Sequence, residues 1–146
     1  MNHKIESIVS EKSLAVVGVS RTGKKFGNYL VKELAVRGYE ILVVHPTAKE
    51  IDGRICYPNL EAVKDKVRSL VVVVPAAQSL LVLEEAARAG INKIWLQQGS
   101  SNPDVIAYAD KMNFEYIAGK CILMYAGSVT GIHAFHRGVS KIFGKY

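Results

Sequence analysis

The residues best suited to chemistry lie in one glycine-containing segment, residues 18–27 (GVSRTGKKFG). It follows a short apolar run and precedes a stretch of helical periodicity, so Gly18 lets the chain turn sharply off a predicted strand. Ser20 supplies a hydroxyl group. Three cations gather where the helix should begin: Arg21, Lys24 and Lys25. Free amides, a helix dipole and positive side chains favour an anion, so we interpret the segment as a cradle for a pyrophosphate group. The alternative is a plain strand–helix turn with solvated lysines.

This segment matches neither of two well-known phosphate-binding motifs. It is not a Walker A loop, and its glycines fall at positions 18, 23 and 27 instead of forming a regular Gly-x-Gly-x-x-Gly fingerprint. The second apolar run ends in His45-Pro46, where NAD-binding domains usually carry the acidic residue that holds the ribose. The sequence therefore disfavours NAD, whereas the basic loop leaves NADP as a less favoured alternative.

Apolar runs alternate with helical patterns along the chain. Strands are predicted over residues 14–17, 41–44, 70–74, 93–96 and 114–117, and helices over 26–37, 78–88, from Pro103 onward and over 131–143, with a short one from about 59 to 66. Gly90 should end the second of these helices, Asn102 should cap the third, and Asp52-Gly53 marks a turn. Strands that are apolar on both faces and separated by helices form a parallel sheet covered on both sides. We predict an α/β fold, a single Rossmann-like doubly wound domain with a mostly parallel sheet of about five strands.

This domain should span residues 1–146, with a core over about 14–121 and a basic helical tail over 122–146. Ligands of such sheets bind beyond the carboxyl ends of the strands. The residues after each predicted strand are therefore candidate ligand contacts, together with the first segment. They are His45, Pro46, Val74, Pro75, Gln98, Gly99 and Cys121.

A set of short motifs occurs in a distinctive order. It comprises Gly18-Val-Ser20 with Lys25-Phe-Gly-Asn28, Gly38-Tyr39, Val44-His45-Pro46, Ile51-Asp-Gly53, Trp95-Leu-Gln-Gln-Gly99 with Asn102, and Lys120-Cys-Ile122. In this respect the sequence resembles the small stand-alone CoA-binding proteins, whose domain is related to the nucleotide-binding domain of succinyl-CoA synthetase alpha subunits. The resemblance runs from about residue 14 to residue 121.

The resemblance implies binding of coenzyme A, acyl-CoA or a related adenine nucleotide. By this resemblance, the residues that would bind the phosphates are Gly18, Ser20, Lys25 and Asn28. His45 and Pro46 would line the adenosine side, Val74 and Pro75 would form a wall, and Gln98 and Gly99 would close the far side. His45 departs from the Asn or Ser common in the family, and Lys120-Cys121 replaces the usual Asp-Arg-Cys.

We expect no catalytic residue and no metal site. In succinyl-CoA synthetase the chemistry relies on a phosphorylated histidine in a second domain. His133 and His136 stand three residues apart, but two histidines alone make an incomplete metal site. The sequence thus predicts a binding protein without chemistry of its own, such as a carrier, a sensor or a subunit.

Composition sets further expectations. The chain has 146 residues, 49% of them hydrophobic, which excludes disorder. Its longest apolar run, residues 70–77, is too short to span a membrane. The first eleven residues lack the apolar block of a signal peptide, and only Cys56 and Cys121 are present, so we expect a cytoplasmic protein.

The net charge of +6 favours anionic partners without identifying them. One alternative is a small NADP-dependent reductase or reductase subunit, with Tyr125 or His45 as proton donor. Another is a nucleic-acid-binding module that uses the basic segment 120–146 together with the first basic loop, although the sequence lacks an interleaved aromatic stacking pattern. We expect a small nucleotide ligand as partner rather than nucleic acid or membrane, and the sequence leaves a homo-oligomer open.

Overall fold

A seven-stranded sheet organises the computed structural model, which describes residues 3–127. The strands are β1 (Ser13–Val17), β2 (Glu40–Val44), β3 (Glu50–Ile51), β4 (Arg54–Tyr57), β5 (Ser69–Val72), β6 (Lys93–Leu96) and β7 (Glu115–Ala118). They lie in the order β3-β4-β2-β1-β5-β6-β7. Every pairing is parallel except that of β3 with β4.

Helices cover both faces of the sheet. They are α1 (His3–Val9), α2 (Phe26–Val36), α3 (Ala76–Ala89) and α4 (Pro103–Lys111), with short 3-10 helices at Glu61–Val63 and Ile122–Met124. Leu14 and Val16 pack with α1, α2 and the residues after β7, whereas Ala15 packs with α3 and α4. This alternation gives a doubly wound α/β domain, as the sequence predicted.

The strand order places β1 at the switch point of the sheet. The chain moves from β1 outward to β2 on one side and later returns to β5 on the other side. The helices that follow β1 and β5 therefore leave on opposite faces, and a crevice opens beyond the carboxyl end of β1. The segment of residues 18–27 begins at this crevice.

The expected number of about five strands is wrong, because β3 and β4 add to the sheet. Residues 50–51 are too few to show an alternating pattern, and they pair only through the two-residue Asp52-Gly53 turn. Both turn residues have positive φ angles, 52° and 79°, as hairpin turns of this length require. The sequence indicated a turn there but not the pairing that follows from it.

Helix α1 is a second element that the sequence analysis did not predict. Its seven residues include only three buried side chains, Ile5, Ile8 and Val9, separated by charged and polar residues. Two predicted helix caps are confirmed. The Asn102 side chain accepts a hydrogen bond from the amide of Val105 at 2.9 Å, and Gly90 ends α3 in the left-handed conformation. The helix predicted over residues 131–143 lies outside the described residues.

Candidate nucleotide-binding site

Two glycines bring α2 directly against the end of β1. Gly18 has a φ of 120°, and a Cβ atom there would lie 2.7 Å from the carbonyl carbon of Val73, which follows β5. A Cβ atom on Gly27 would collide with the carbonyl oxygen of Gly18. Side chains are excluded at both positions, so the backbone of α2 lies in direct contact with the start of the β1 loop (residues 18–25).

The buried side chain of Asn28 holds the β1 loop in shape. Its Oδ1 atom accepts hydrogen bonds from the amides of Ser20 at 3.0 Å and Lys25 at 3.3 Å. Its Nδ2 atom donates to the carbonyl of Ser20 at 2.9 Å and to the carboxylate of Asp52 at 3.2 Å. The side-chain amide of Asn28 thus positions the loop. The phosphate contact that the resemblance implies for this residue stays a prediction.

The start of α2 carries a net positive charge, with three cations around it against the one carboxylate of Asp52, which bonds to Asn28. Among the hydrogen bonds of residues 3–127, the amides of Phe26 and Gly27 have no acceptor, as expected in the first turn of a helix. The first turn contains no acidic residue. The predicted cations around it are all exposed: Arg21, Lys24 and Lys25. Backbone amides, the helix dipole and these side chains thus favour a bound anion at this point.

Ser20 shapes the loop through its hydroxyl group. This oxygen accepts a hydrogen bond from the amide of Thr22 at 3.1 Å and lies 2.8 Å from the Thr22 hydroxyl. Thr22 was not among the predicted residues, although serine hydroxyls often bond in turns to the backbone two residues further on. The two hydroxyls together leave a donor available at the rim of the crevice.

His45 organises the loop after β2. Its Nδ1 atom accepts hydrogen bonds from the amides of Ala48 at 2.9 Å and Thr47 at 3.2 Å, so this nitrogen is unprotonated and Nε2 carries the proton. Burial lowers the pKa of His45, and the positive charge of Arg21 lowers this pKa further. The loops after β1 and β2 adjoin, as predicted, because the two strands pair in parallel and end at the partners Val17 and Val44. Pro46 is exposed beside them.

The loops after β5 and β6 form the other wall of the crevice. The amide of Ala76 donates to the carbonyl of Gly99 at 3.0 Å, and the Ser100 hydroxyl donates to the carbonyl of Val74 at 2.6 Å. These bonds hold Pro75 and Gly99 side by side. The predicted residues Val74, Pro75, Gln98 and Gly99 are thus brought together.

Gln97, which the sequence analysis passed over, ties β6 to the segment after β7. Its Oε1 atom accepts from the amide of Ile122 at 2.7 Å, and its Nε2 atom lies 3.4 Å from the Cys121 sulfur. The Trp95 indole donates to the carbonyl of Lys120 at 2.8 Å. The one signal in the sequence was that Trp95 and Gln97 stand two residues apart, a spacing that places both side chains on the same face of an extended chain. Cys121 is therefore held at the far end of the crevice.

A small cavity of about 160 Å³ lies behind the β1 loop, between α2 and the β3–β4 hairpin. It is lined by Val19, Asn28, Val31, Lys32, Val43, Ile51, Asp52 and Arg54. The Asp52 carboxylate, in contact with Asn28, connects this hairpin to the loop. The sequence marked Asp52 only as a turn residue, because nothing in its spacing indicates a contact across 24 positions.

Comparison with known proteins agrees with this geometry. Residues 12–126 match the CoA binding domain family, and the chain therefore belongs to that family. The chain resembles a conserved hypothetical protein from Pyrococcus furiosus, with a TM-score of 0.73, 35% identity and coverage of 77% of this chain and 97% of that one.

The family match extends to parts of larger enzymes. The chain is 25% identical over 143 residues to the ADP-forming acetate–CoA ligase I of Archaeoglobus fulgidus, covering 91% of this chain but 21% of the ligase. It also resembles the dinucleotide-forming acetyl-coenzyme A synthetase 1 of Ca. Korarchaeum cryptofilum, solved with phosphate and ADP. That likeness has a TM-score of 0.62 and 25% identity, and covers 73% of this chain and 25% of the synthetase. The chain thus spans about a fifth to a quarter of these relatives.

Neither a metal centre nor a membrane-spanning helix occurs within residues 3–127. No group of three or more histidine, cysteine or carboxylate side chains is arranged to hold a metal ion there. No helix in that range is long and apolar enough to cross a membrane. His133 and His136 lie outside the described residues.

Proposed function

We propose that this chain binds coenzyme A or acyl-CoA in the crevice beyond β1 and performs no chemistry on it. The observation that carries the proposal is the open, cationic start of α2 at the switch point of the sheet. A pyrophosphate needs donors without competing acceptors, and the amides of Phe26 and Gly27 with three neighbouring cations supply them. Membership of the CoA binding domain family supports coenzyme A rather than NADP as the ligand.

The proposed pose follows the order of the strands. The pyrophosphate lies on the β1 loop and the start of α2, and the adenosine lies between the His45-Pro46 loop and the Val74-Pro75 edge. The pantetheine arm then runs past Gln98 and Gly99 toward Cys121. Three strand spacings separate β1 from β7, about 14 Å, which is a span suited to an extended arm.

The relatives support an adenine nucleotide in this fold, because the related synthetase was solved with ADP and phosphate. We do not extend ligase activity to this chain, since it matches only about a fifth of the ligase. The non-catalytic role rests on the side chains of the crevice. His45 uses Nδ1 to hold its own loop, so the imidazole is not available there as a general base.

Titration calorimetry with CoA, NADP and NAD tests the ligand. We expect binding of CoA, and no binding of NADP or NAD at the same concentrations. Failure to bind CoA would overturn the proposal, and binding of NADP alone would replace it with the reductase alternative. Incubation with acetyl-CoA tests the absence of chemistry, because the free thiol should appear no faster than in buffer alone.

Replacing Lys25 tests the location of the pyrophosphate. We expect Lys25→Ala to weaken CoA binding about fivefold at low salt, and less at high salt, because exposed charge interactions are screened. Lys111→Ala is a matched control, since Lys111 is exposed at the end of α4, at the opposite edge of the sheet. Equal CoA affinities of the two variants would contradict the proposed position.

A further inference from the structure

The cavity between α2 and the β3–β4 hairpin is not used by the proposed CoA pose. Its volume is about 160 Å³, and its floor consists of four buried aliphatic side chains, namely Val19, Val31, Val43 and Ile51. An apolar cavity of about 150 Å³ is large enough to take up a benzene molecule, whereas water finds few hydrogen-bond partners in such a place. The floor of this cavity therefore suits a small organic molecule better than it suits water.

The hairpin is fixed against the helix at the mouth of this cavity. The Asn28 side chain, on α2, donates to the Asp52 carboxylate in the hairpin turn at 3.2 Å. Ile51, the buried residue of β3, lies directly before this turn. Because the bond joins the two elements at the rim, the short valine side chains of the floor leave a space between them in the folded chain.

The mouth of the cavity carries two cations. Lys32 stands one turn after Asn28 on α2, Arg54 is the first residue of β4, and both line the cavity. Neither side chain forms an ion pair with any of residues 3–127. Asp52 is the one acidic residue of the lining. Two positive charges thus face one carboxylate, and a single added negative charge brings their sum to zero.

We propose that this cavity binds a short-chain carboxylate of the size of butyrate. The alkyl chain lies on the aliphatic floor, and the carboxylate lies at the mouth with Lys32 and Arg54. The planar guanidinium group of arginine matches the two oxygens of a carboxylate. Butyrate has as many non-hydrogen atoms as benzene, so its size agrees with the volume of the cavity.

Two simpler molecules each carry half of this chemistry. Inorganic phosphate has the negative charge, but it leaves the apolar floor without a partner. Butanol has the alkyl chain, but it leaves Lys32 and Arg54 without an anion. Recognition of both parts together is therefore what distinguishes the proposed site from a surface anion site or from a plain apolar cavity.

The carboxylate site is separate from the start of α2, because neither Phe26 nor Gly27 lines the cavity. The proposal does not rest on the proposed function. Its test is made without CoA, so its failure leaves the CoA titrations unaffected. The two sites share only Asn28, which holds the β1 loop and also lines the cavity.

The test is a titration of the full chain, carrying labelled valine and isoleucine methyl groups, followed by nuclear magnetic resonance. We expect butyrate to shift the methyl signals of the four floor residues, with a dissociation constant on the order of 1 mM for so small a ligand. Butanol and inorganic phosphate should each bind at least about tenfold more weakly, because each meets only one part of the site.

Two variants locate the ligand. Arg54→Met keeps the length of the side chain but removes its charge, and should weaken butyrate binding about tenfold. Arg88→Met is the matched control, since Arg88 is exposed in the last turn of α3, and should leave butyrate binding unchanged. Val31→Phe fills the cavity and should abolish binding. Should Val31→Phe fail to fold, Arg54→Met and the comparison of the three ligands still decide the question.

Several results would overturn the proposal. One is the absence of methyl shifts at butyrate concentrations well above the expected dissociation constant. Another is a response of the Phe26 and Gly27 amides in place of the floor methyl groups, because butyrate would then be a simple anion at the start of α2. Equal binding of butyrate and butanol, or of butyrate and phosphate, would exclude the combined recognition. Equal effects of Arg54→Met and Arg88→Met would exclude a role for the mouth.

Discussion

The helices that follow β1, β5 and β6 all begin at the same edge of the sheet, yet their first turns differ. At the start of α3, the amide of Ala76 is occupied by the carbonyl of Gly99. At the start of α4, the Asn102 side chain caps the helix, and Asp104 already supplies a negative charge in the first turn. Within the described residues, only the start of α2 combines two open amides and neighbouring cations with a first turn that contains no acidic residue.

This difference teaches that a common fold position does not by itself make an anion site. Each parallel α/β unit directs a helix N-terminus toward the carboxyl edge of the sheet. Other groups of the same chain can accept the hydrogen bonds of its free amides and so leave no site for an anion. Here protein groups occupy part of each of the other two termini, since Gly99 accepts from Ala76 in α3 and Asn102 accepts from Val105 in α4. Helix α2 is left for a ligand, and its loop is held open by glycines and by the buried Asn28.

The largest expected effect comes from Gly18. In Gly18→Ala the new methyl group meets Val73 at a φ angle of 120°, so we expect the free energy of unfolding to fall by about 3 kcal/mol and CoA binding to be lost. Gly99→Ala is the matched control in the other wall. It has a positive φ of 87° but open space around its Cβ position, so it should cost about 1 kcal/mol. Urea unfolding measures both, and equal losses would contradict the close contact.

Asn28 comes next. Asn28→Ala leaves the amides of Ser20 and Lys25 without their acceptor, and we expect a loss of about 2 kcal/mol in stability together with weaker CoA binding. Asn102→Ala removes the cap of α4 and should cost about 1 kcal/mol without changing CoA affinity. Comparison of the two CoA affinities separates loop positioning from general stability.

The smallest effect concerns His45 and pH. Since its pKa is lowered in the folded chain, the unfolded chain binds this proton more readily, with the ordinary value of 6.5. The free energy of unfolding should therefore decrease as the pH falls from 6.5 toward the lowered pKa, and be unaffected well above 6.5. His45→Asn keeps an acceptor for the amides of Thr47 and Ala48 but cannot titrate. Its stability should decline less between about pH 8 and about pH 5.5 than that of the unchanged chain. An identical decline would contradict the assignment.

Much of the fold could be predicted because its signals are local. The buried strands are visible in the sequence as apolar runs, and the helix caps at Asn102 and Gly90 depend on neighbouring residues alone. The β1 loop could be placed at the crevice because ligand position follows from sheet topology. The strand count failed at β3, where two residues pair only because the Asp52-Gly53 turn folds them back.

The contacts within the site could not be predicted, because they join residues far apart in sequence. Asn28 meets Asp52 across the β3–β4 hairpin, and Gln97 meets Ile122 from a neighbouring strand. No periodicity records such pairs. His45 was singled out as lining the ligand, and the structure adds that its Nδ1 atom accepts hydrogen bonds from the amides of Thr47 and Ala48.

The position of Trp95 gives the molecule a built-in optical reporter. It is the sole tryptophan, fully buried, with its indole bonded to Lys120 and its ring 5.8 Å from that of Tyr125. Its fluorescence therefore reports on the segment between β7 and Gly127 as well as on unfolding of the core. Release of that segment would wet the indole and shift its emission to the red while the sheet remained intact.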